Sequence, residues 1–291
     1  MKKTTEELVF NIIALAVTTV FAIVCLLPIL YTVSGSFTPE RELLRGLKLI
    51  PDTWTLAAYK MVLRDAGAML RAYGVTIVLV VLGTALSVIM SSMTAYVLYR
   101  KDFRARGVLS FFFFFTTLFA GGLVPTFILM CSLGLRNTFW ALLVNNLFSV
   151  FNMIIVRSYF TSNIPMSLVE SAKIDGANDF SIYARIVLPS SGAILATIGL
   201  MSAIRYWNDW STAAIYITNP KLYPLQYYLY KIFQETELKS QAAERGINVG
   251  STPAESYKLA MTVFTMGPVI LFYPFVQKYF VAGVTVGAVK G

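Results

Sequence analysis

Residues Ala72 to Tyr99 read AYGVTIVLVVLGTALSVIMSSMTAYVLY, a run of 28 residues without Asp, Glu, Lys or Arg. As a helix it would extend about 42 Å at about 1.5 Å per residue. That exceeds the ~30 Å of a bilayer's hydrocarbon core. Lipid offers no partners to backbone N–H and C=O groups, so such a run must bond internally as a helix. Five further uncharged runs flank it: Leu8–Pro39, Gly107–Leu135, Asn137–Val156, Ile186–Ile204 and Leu259–Gln277. The fold class expected is therefore all-α integral membrane, with residues 1–291 forming a single transmembrane domain of six transmembrane helices. The spans are placed at about 9–33, 72–99, 108–131, 138–156, 186–206 and 259–277.

Composition agrees. Hydrophobic residues make up 57% and charged residues 13%, with a mean hydropathy of +0.67. Soluble domains are nearer ~45–50% apolar and ~25% charged, which excludes a soluble globular enzyme. Lys2 and Lys3 precede the first span. Its apolar body is too long for a signal-peptide core and no A-x-A site follows, so a retained anchor is expected. An even number of spans puts both termini on one side. With termini inside, Lys and Arg tie at 11 on each side, so density must decide. Tyr99 to Gly107 packs Arg100, Lys101, Arg104 and Arg106 into nine residues. Short loops this basic are cytoplasmic, so both termini are expected to be cytoplasmic. This arrangement accounts for the net charge of +9 without a nucleic-acid partner.

The chain lacks the means for chemistry of its own. It has no histidine, which removes Ser-His-Asp and Cys-His triads and HExxH zinc sites. Cys25 and Cys131 sit in apolar runs and read as small hydrophobes. All acids and bases lie outside the cores of the six spans, so no intramembrane relay is available to a proton- or sodium-driven carrier. The P-loop pattern GxxxxGK[ST] is absent. The chain is read as not an enzyme and as holding no cofactor or metal. Energy for uphill movement would come from another polypeptide.

Such a partner would dock on the longest cytoplasmic piece between spans, the loop at 157–189. Met166 to Ile174 reads as a helix, with Ser162 or Asn163 as cap and with Leu168 and Ala172 on one face. Asp175-Gly176 signals a turn that uses glycine's access to positive φ. A second short helix would start at Asn178 or Asp179 and set Phe180, Tyr183 and Ile186 or Val187 on one stripe. Pro189 marks entry to the fifth span. On periodicity alone, a bent two-helix knob and a solvated loop with two amphipathic turns fit equally well.

Glu170-Ser171-Ala172-Lys173-Ile174-Asp175-Gly176-Ala177, then eight residues, then Ile186-Val187-Leu188-Pro189, resembles the EAA loop of permease subunits in binding-protein-dependent ABC importers. Ser171 stands where that family has alanine, another small residue. Pro51, Thr55, Leu56 and Tyr59 are similar to the element before the second span of carbohydrate-type permeases. Ala95-Tyr96, Arg100 and Phe103-Arg104 are similar to that span's exit. The tail through Gly283, Gly287 and Val289-Lys290-Gly291 resembles that of the smaller maltose-type subunit. Gly121-Gly122-Leu123-Val124-Pro125-Thr126 and Trp207-Asn208-Asp209-Trp210 resemble the subgroup for oligosaccharides of complex, often acidic, polysaccharides. Tyr73-Gly74-Val75 departs, where many sugar permeases carry Asn-Ser.

The resemblance implies a transmembrane permease subunit in the bacterial cytoplasmic (inner) membrane, crossing the lipid bilayer several times. It implies a second homologous permease subunit, two ATP-binding subunits that carry ATP and Mg, and an extracytoplasmic solute-binding protein that delivers an oligosaccharide. The EAA-type coupling helix between helices 4 and 5 would sit in a cleft of the ATPase. Carried over residue by residue, the coupling set is Glu170, Ala172, Asp175, Gly176, Ala177, Ile186, Leu188 and Pro189. Glu170 would meet a basic group of the ATPase, and the external loop 207–257 would touch the binding protein. A permease for a non-sugar solute, or a self-powered carrier, is the competing reading.

Polar residues inside spans suggest a substrate path. Asn145, Asn146 and Asn152 lie in the fourth span, and Asn145 and Asn152, seven apart, would share a helical face. They would either bond sugar hydroxyls or join helices. Arg205 would attract a carboxylate or snorkel to water. Asn208 joins the candidate path, and Trp207, Trp210, Tyr216, Tyr223, Tyr227 and Tyr228 would contact sugar or anchor the membrane interface.

Overall fold

The computed structural model describes residues 5–46, 48–64, 66–245 and 255–271, which include neither the C-terminal tail nor the end of the expected sixth span. Elements in chain order are α1 (Thr5–Ser36), α2 (Glu40–Leu43), α3 (Ala57–Arg64), α4 (Ala66–Tyr99), α5 (Arg106–Leu118), α6 (Leu123–Ser132), α7 (Phe139–Val144), α8 (Val150–Asn163) and α9 (Met166–Ile174). α10 (Asp179–Ile182) runs on through a π-helical turn at Tyr183–Val187 into α11 (Leu188–Ser190). Then come α12 (Gly192–Asn208), α13 (Ser211–Tyr216), α14 (Leu225–Glu244) and α15, residues 255–271. No strand occurs among the described residues.

The described residues divide into two compact units, one within 5–67 and 229–269 and the other within 68–228 and 270–271. In the first, the end of α1 is fixed by polar and aromatic contacts. Ser36 Oγ and Tyr59 Oη lie 2.7 Å apart, and Phe37 packs against Trp54 and Tyr59. Tyr59 meets Phe264 of α15 edge-on. The Glu40 carboxylate accepts from the backbone N–H of Glu255 and Ser256 and from Ser256 Oγ at 2.9–3.0 Å. It caps the start of α15, where free N–H groups and the helix dipole favour an anion. Glu40→Ala is expected to cost about 1 kcal/mol, as for loss of a cap. Amide exchange over residues 255–258 should rise correspondingly, and unchanged exchange there would refute the capping role.

α1 and α4 are each long and apolar enough to cross a membrane, at 31 qualifying residues and 34 residues. Among the described residues, two bent pairs bring the count to four if each pair is one span. Three spans expected as straight helices are interrupted. The run at 108–131 breaks between α5 and α6 with a 116° bend. There Phe119 is extended and Gly122 takes φ +88°, a conformation open to glycine. The run at 138–156 splits into α7 and α8, because Ser149 Oγ accepts from Asn152 N and restarts the helix.

The fifth span was expected from 186 to 206. Its helix bends by 84° between α11 and α12. Pro189 has no N–H to donate and its ring crowds the carbonyl four residues back, so the preceding turn widens to π geometry. Ser190 and Ser191 hydroxyls bond back to Ile186 and Val187 carbonyls at 2.7 Å, which further loosens the ladder.

Candidate functional site

The expected knob forms. α9 covers Met166–Ile174 and ends in a Schellman motif: Ala177 N–H donates to Ala172 O at 2.9 Å and Gly176 N–H to Lys173 O at 3.0 Å. Gly176 sits at φ +82°. Asn178 Oδ1 then accepts from Ser181 N at 2.7 Å and caps α10. Neither Ser162 nor Asn163 caps α9, because α8 runs through Asn163 and Pro165 occupies the cap position.

The inner face of the knob is apolar. Val169, Ala172, Ile182, Tyr183 and Val187 are buried with Ala95, Tyr96, Leu98 and Tyr99 of α4, with Val156 and Phe160 of α8, and with Ile194 and Ile198 of α12. Ala177, Ile186 and Leu188 pack at the margin of this cluster. Val169 takes the inward place expected for Leu168, which is exposed; the i, i+3 spacing of Val169 and Ala172 matches the helix's contact stripe better. Phe180 is likewise outside the buried stripe. Two hydroxyl contacts lock the packing: Tyr99 Oη donates to Ile164 O at 2.9 Å, and Tyr183 Oη lies 2.7 Å from Ser92 Oγ. Glu170, Asp175, Gly176 and Pro189 are exposed, as are Ile174 at 87% and Phe180 at 69%. The outward surface thus combines the carboxylates of Glu170 and Asp175 with the uncovered apolar side chains of Leu168, Ile174 and Phe180.

An ion cluster not foreseen in the sequence joins the knob to the end of α4. Arg100, with a side chain only 7% exposed, donates Nε and Nη2 to the two oxygens of Asp102 at 2.9 and 2.6 Å. Its Nη1 donates to Asp179 Oδ1 at 2.6 Å and to Tyr96 Oη at 2.8 Å. Lys173 Nζ reaches Asp102 at 2.6 Å and Asp179 at 3.8 Å. Hydrogen bonds from Arg100 and Lys173 hold the Asp102 carboxyl well below the usual carboxylate range. A depressed folded-state pKa means that the stabilisation is fully present above about pH 4 and fades only as pH falls through the lowered value. The only sequence signal was the Arg100-x-Asp102 pair directly after an apolar span; its partners lie 71 and 79 residues away.

The candidate substrate-path residues gather around the break between α7 and α8, but as ties between segments. Asn145 Nδ2 donates to Thr212 Oγ1 at 2.9 Å, and Asn146 Nδ2 to Asp209 Oδ2 at 2.5 Å. Asn152 Nδ2 reaches Ser202 Oγ at 3.3 Å, and Ser202 lies 3.1 Å from Ser87. Asn145 and Asn152 do not share a helix: Asn145 ends α7 and Asn152 lies in the first turn of α8. Arg205 Nη2 donates to Ser149 Oγ at 3.4 Å, and Asn208 Nδ2 bonds the carbonyl of Ile204. Trp207 packs near Tyr73, with its Nε1 buried and unpaired. Tyr216 is buried and stacked on Phe127, so it serves as packing and not as an open sugar platform.

Interrupted apolar helices and a capped knob between them are features of a helical membrane component, and the chain's relatives are of that class. It belongs to the family of binding-protein-dependent transport system inner membrane components, which it matches over residues 83–286. It is thus a permease component of a transport system and not an enzyme. It is 40% identical over 274 residues to the polygalacturonan/rhamnogalacturonan transport system permease protein YtcP of Bacillus subtilis, covering 93% of this chain and 94% of that protein. It is 29% identical to the arabinooligosaccharides transport system permease protein AraQ of Halalkalibacterium halodurans, with 93% of both chains covered. A chain in the crystal structure of a bacterial ABC transporter involved in the import of the acidic polysaccharide alginate superposes with a TM-score of 0.83 at 32% identity. That match covers 96% of this chain and 99% of the other.

Proposed function

We propose that this chain is one of two permease subunits in an ATP-driven importer of uronate-containing oligosaccharides. An extracytoplasmic binding protein would deliver the sugar to the loop at 207–257, and two partner subunits would bind and hydrolyse ATP with Mg. Six spans with both termini cytoplasmic, in a bacterial inner membrane, complete the reading. The interruptions at Phe119–Gly122, Asn145–Ser149 and Ser191 then lie within membrane-spanning elements, where broken helices are tolerated if protein or water satisfies the freed groups.

The observation that carries the coupling role is the knob: its inner face is packed on three helices while Glu170, Asp175, Ile174 and Phe180 face outward. Exposed large apolar groups ringed by charge fit a partner's cleft. The uronate class is supported by the polygalacturonan and alginate transporters to which the chain is similar, and by the Arg205 cation beside the asparagine cluster. Deleting the gene in its host is expected to abolish uptake of short oligogalacturonides while glucose uptake stays normal. Undiminished oligogalacturonide uptake in that strain would refute the assigned substrate class.

A further inference from the structure

Directed contacts add angular definition to the knob that burial alone does not, because the hydrophobic driving force is non-directional. At the edge of the apolar contact between α4 and the two knob helices, Arg100 sits where all three come together. Its guanidinium spends four directed hydrogen bonds on three residues: Asp102 just beyond α4, Asp179 at the first turn of α10, and Tyr96 one turn back. Arg100 Cζ also lies 5.7 Å from the Tyr96 ring centre. From α9, Lys173 closes the circuit onto both acids. The planar fork fixes orientation in a way a lysine point charge does not.

Energetics separate this from ordinary surface pairing. Asp102 and Asp179 are 55% and 67% exposed, so solvent screens them and the pairs add little to global stability. Arg100 is buried, so its partners set its position and it sets theirs. The knob's two helices and α4 are linked by a joint that is stiff in angle and modest in strength.

We propose that Arg100 is a positioning residue for energy coupling: with Asp102, Asp179 and Lys173 it clamps the knob to α4, so that force applied to the knob turns α4 instead of bending the joint. The proposal rests on the knob being the ATPase contact. Arg100 acts on α10 directly through Asp179 and on α9 through Asp102, which it shares with Lys173.

The test uses the whole purified complex with its ATPase subunits. Spin labels are placed at exposed Ser167 and Lys101 after Cys25 and Cys131 are changed to serine, and the distance is measured without nucleotide and with ATP trapped by vanadate. The unaltered joint should give one narrow distance in both states. Arg100→Gln should keep stoichiometric ATPase yet give a broadened or shifted distance in the trapped state. ATP hydrolysis stimulated by the cognate binding protein, carrying oligogalacturonides, should fall about fivefold in that variant, within the range by which residues linking two sites modulate their coupling. Arg100→Lys, which keeps the charge, should restore part of the narrow distance. If Arg100→Gln fails to assemble, Asp179→Asn, which leaves Arg100 paired with Asp102, supplies the same reading.

An unchanged narrow distance in both states for these variants would overturn the clamp. Gly176→Val separates the two ideas. If that variant retains ATPase, the coupling reading fails; if it loses ATPase while Arg100→Gln remains rigid, only the clamp fails.

Discussion

Gly176→Val is expected to strip the ATPase subunits from the purified complex while the chain still inserts. Gly176 holds φ +82°, and a Cβ there would meet nothing within 4 Å, so the penalty is purely conformational. An unbranched residue pays about 1–2 kcal/mol in the left-handed region. A β-branched one is a true outlier and costs more. Two Schellman hydrogen bonds, from Gly176 to Lys173 and from Ala177 to Ala172, depend on that φ. At about 0.5–1.5 kcal/mol each, they are too weak to force valine into place. The turn should open, and α10 should lose its angle to α9. Insertion should survive, because the change lies in an exposed turn.

A graded series makes the result specific. Gly176→Asn should bind ATPase almost normally, since asparagine enters this region readily. Gly176→Ala should be intermediate. The measurement is ATPase-to-permease stoichiometry after affinity purification, quantified against total inserted permease. Full stoichiometry with valine would show that the knob's bend does not govern docking.

The bounds of the knob were legible because local rules set them. The Asp175-Gly176 stop and the Asn178 cap each act within a few residues, so the end of α9 and the start of α10 fall where the sequence puts them, while the cap expected at Ser162 or Asn163 falls instead at Pro165. The long runs of α1 and α4 were legible for the same reason. Where straight spans were expected, the breaks depend on signals weaker than the hydropathy that hid them. Gly121-Gly122 and Ser149 carry no charge, so counting charges passes over them. Asn145 and Asn152 appeared to share a face only because an unbroken helix was assumed. The clamp at Arg100 was illegible for a different reason: its acids are distant in sequence, and nothing in a basic loop says which acid each cation meets.

Gly83→Ala should damage the molecule by steric means at the contact of α4 and α12. Helices in lipid gain little from apolar burial against one another, so small residues that let them approach closely are decisive. Gly83, Ser87 and Ser91 follow at intervals of four along α4, and all are buried. A Cβ on Gly83 would fall 2.3 Å from two ring carbons of Tyr206, well inside contact distance. The ring cannot swing away freely. It is 2% exposed, and its hydroxyl donates to Leu143 O at 2.8 Å. Either α12 retreats or that hydrogen bond breaks. One turn along, the 3.1 Å contact between Ser87 and Ser202 resists the retreat. Overpacking costs about 1–3 kcal/mol. At roughly 2–4 °C per kcal/mol, the detergent-solubilised melting temperature should fall by several degrees. Tyr206→Ala alone should also destabilise, by about 3–5 kcal/mol through the cavity it leaves. Combined with Gly83→Ala, the losses should sum to less than their separate values, because the new methyl enters the space the ring vacated. A melting temperature unchanged by Gly83→Ala, or strictly additive losses in the double variant, would show that α4 and α12 do not meet at this point.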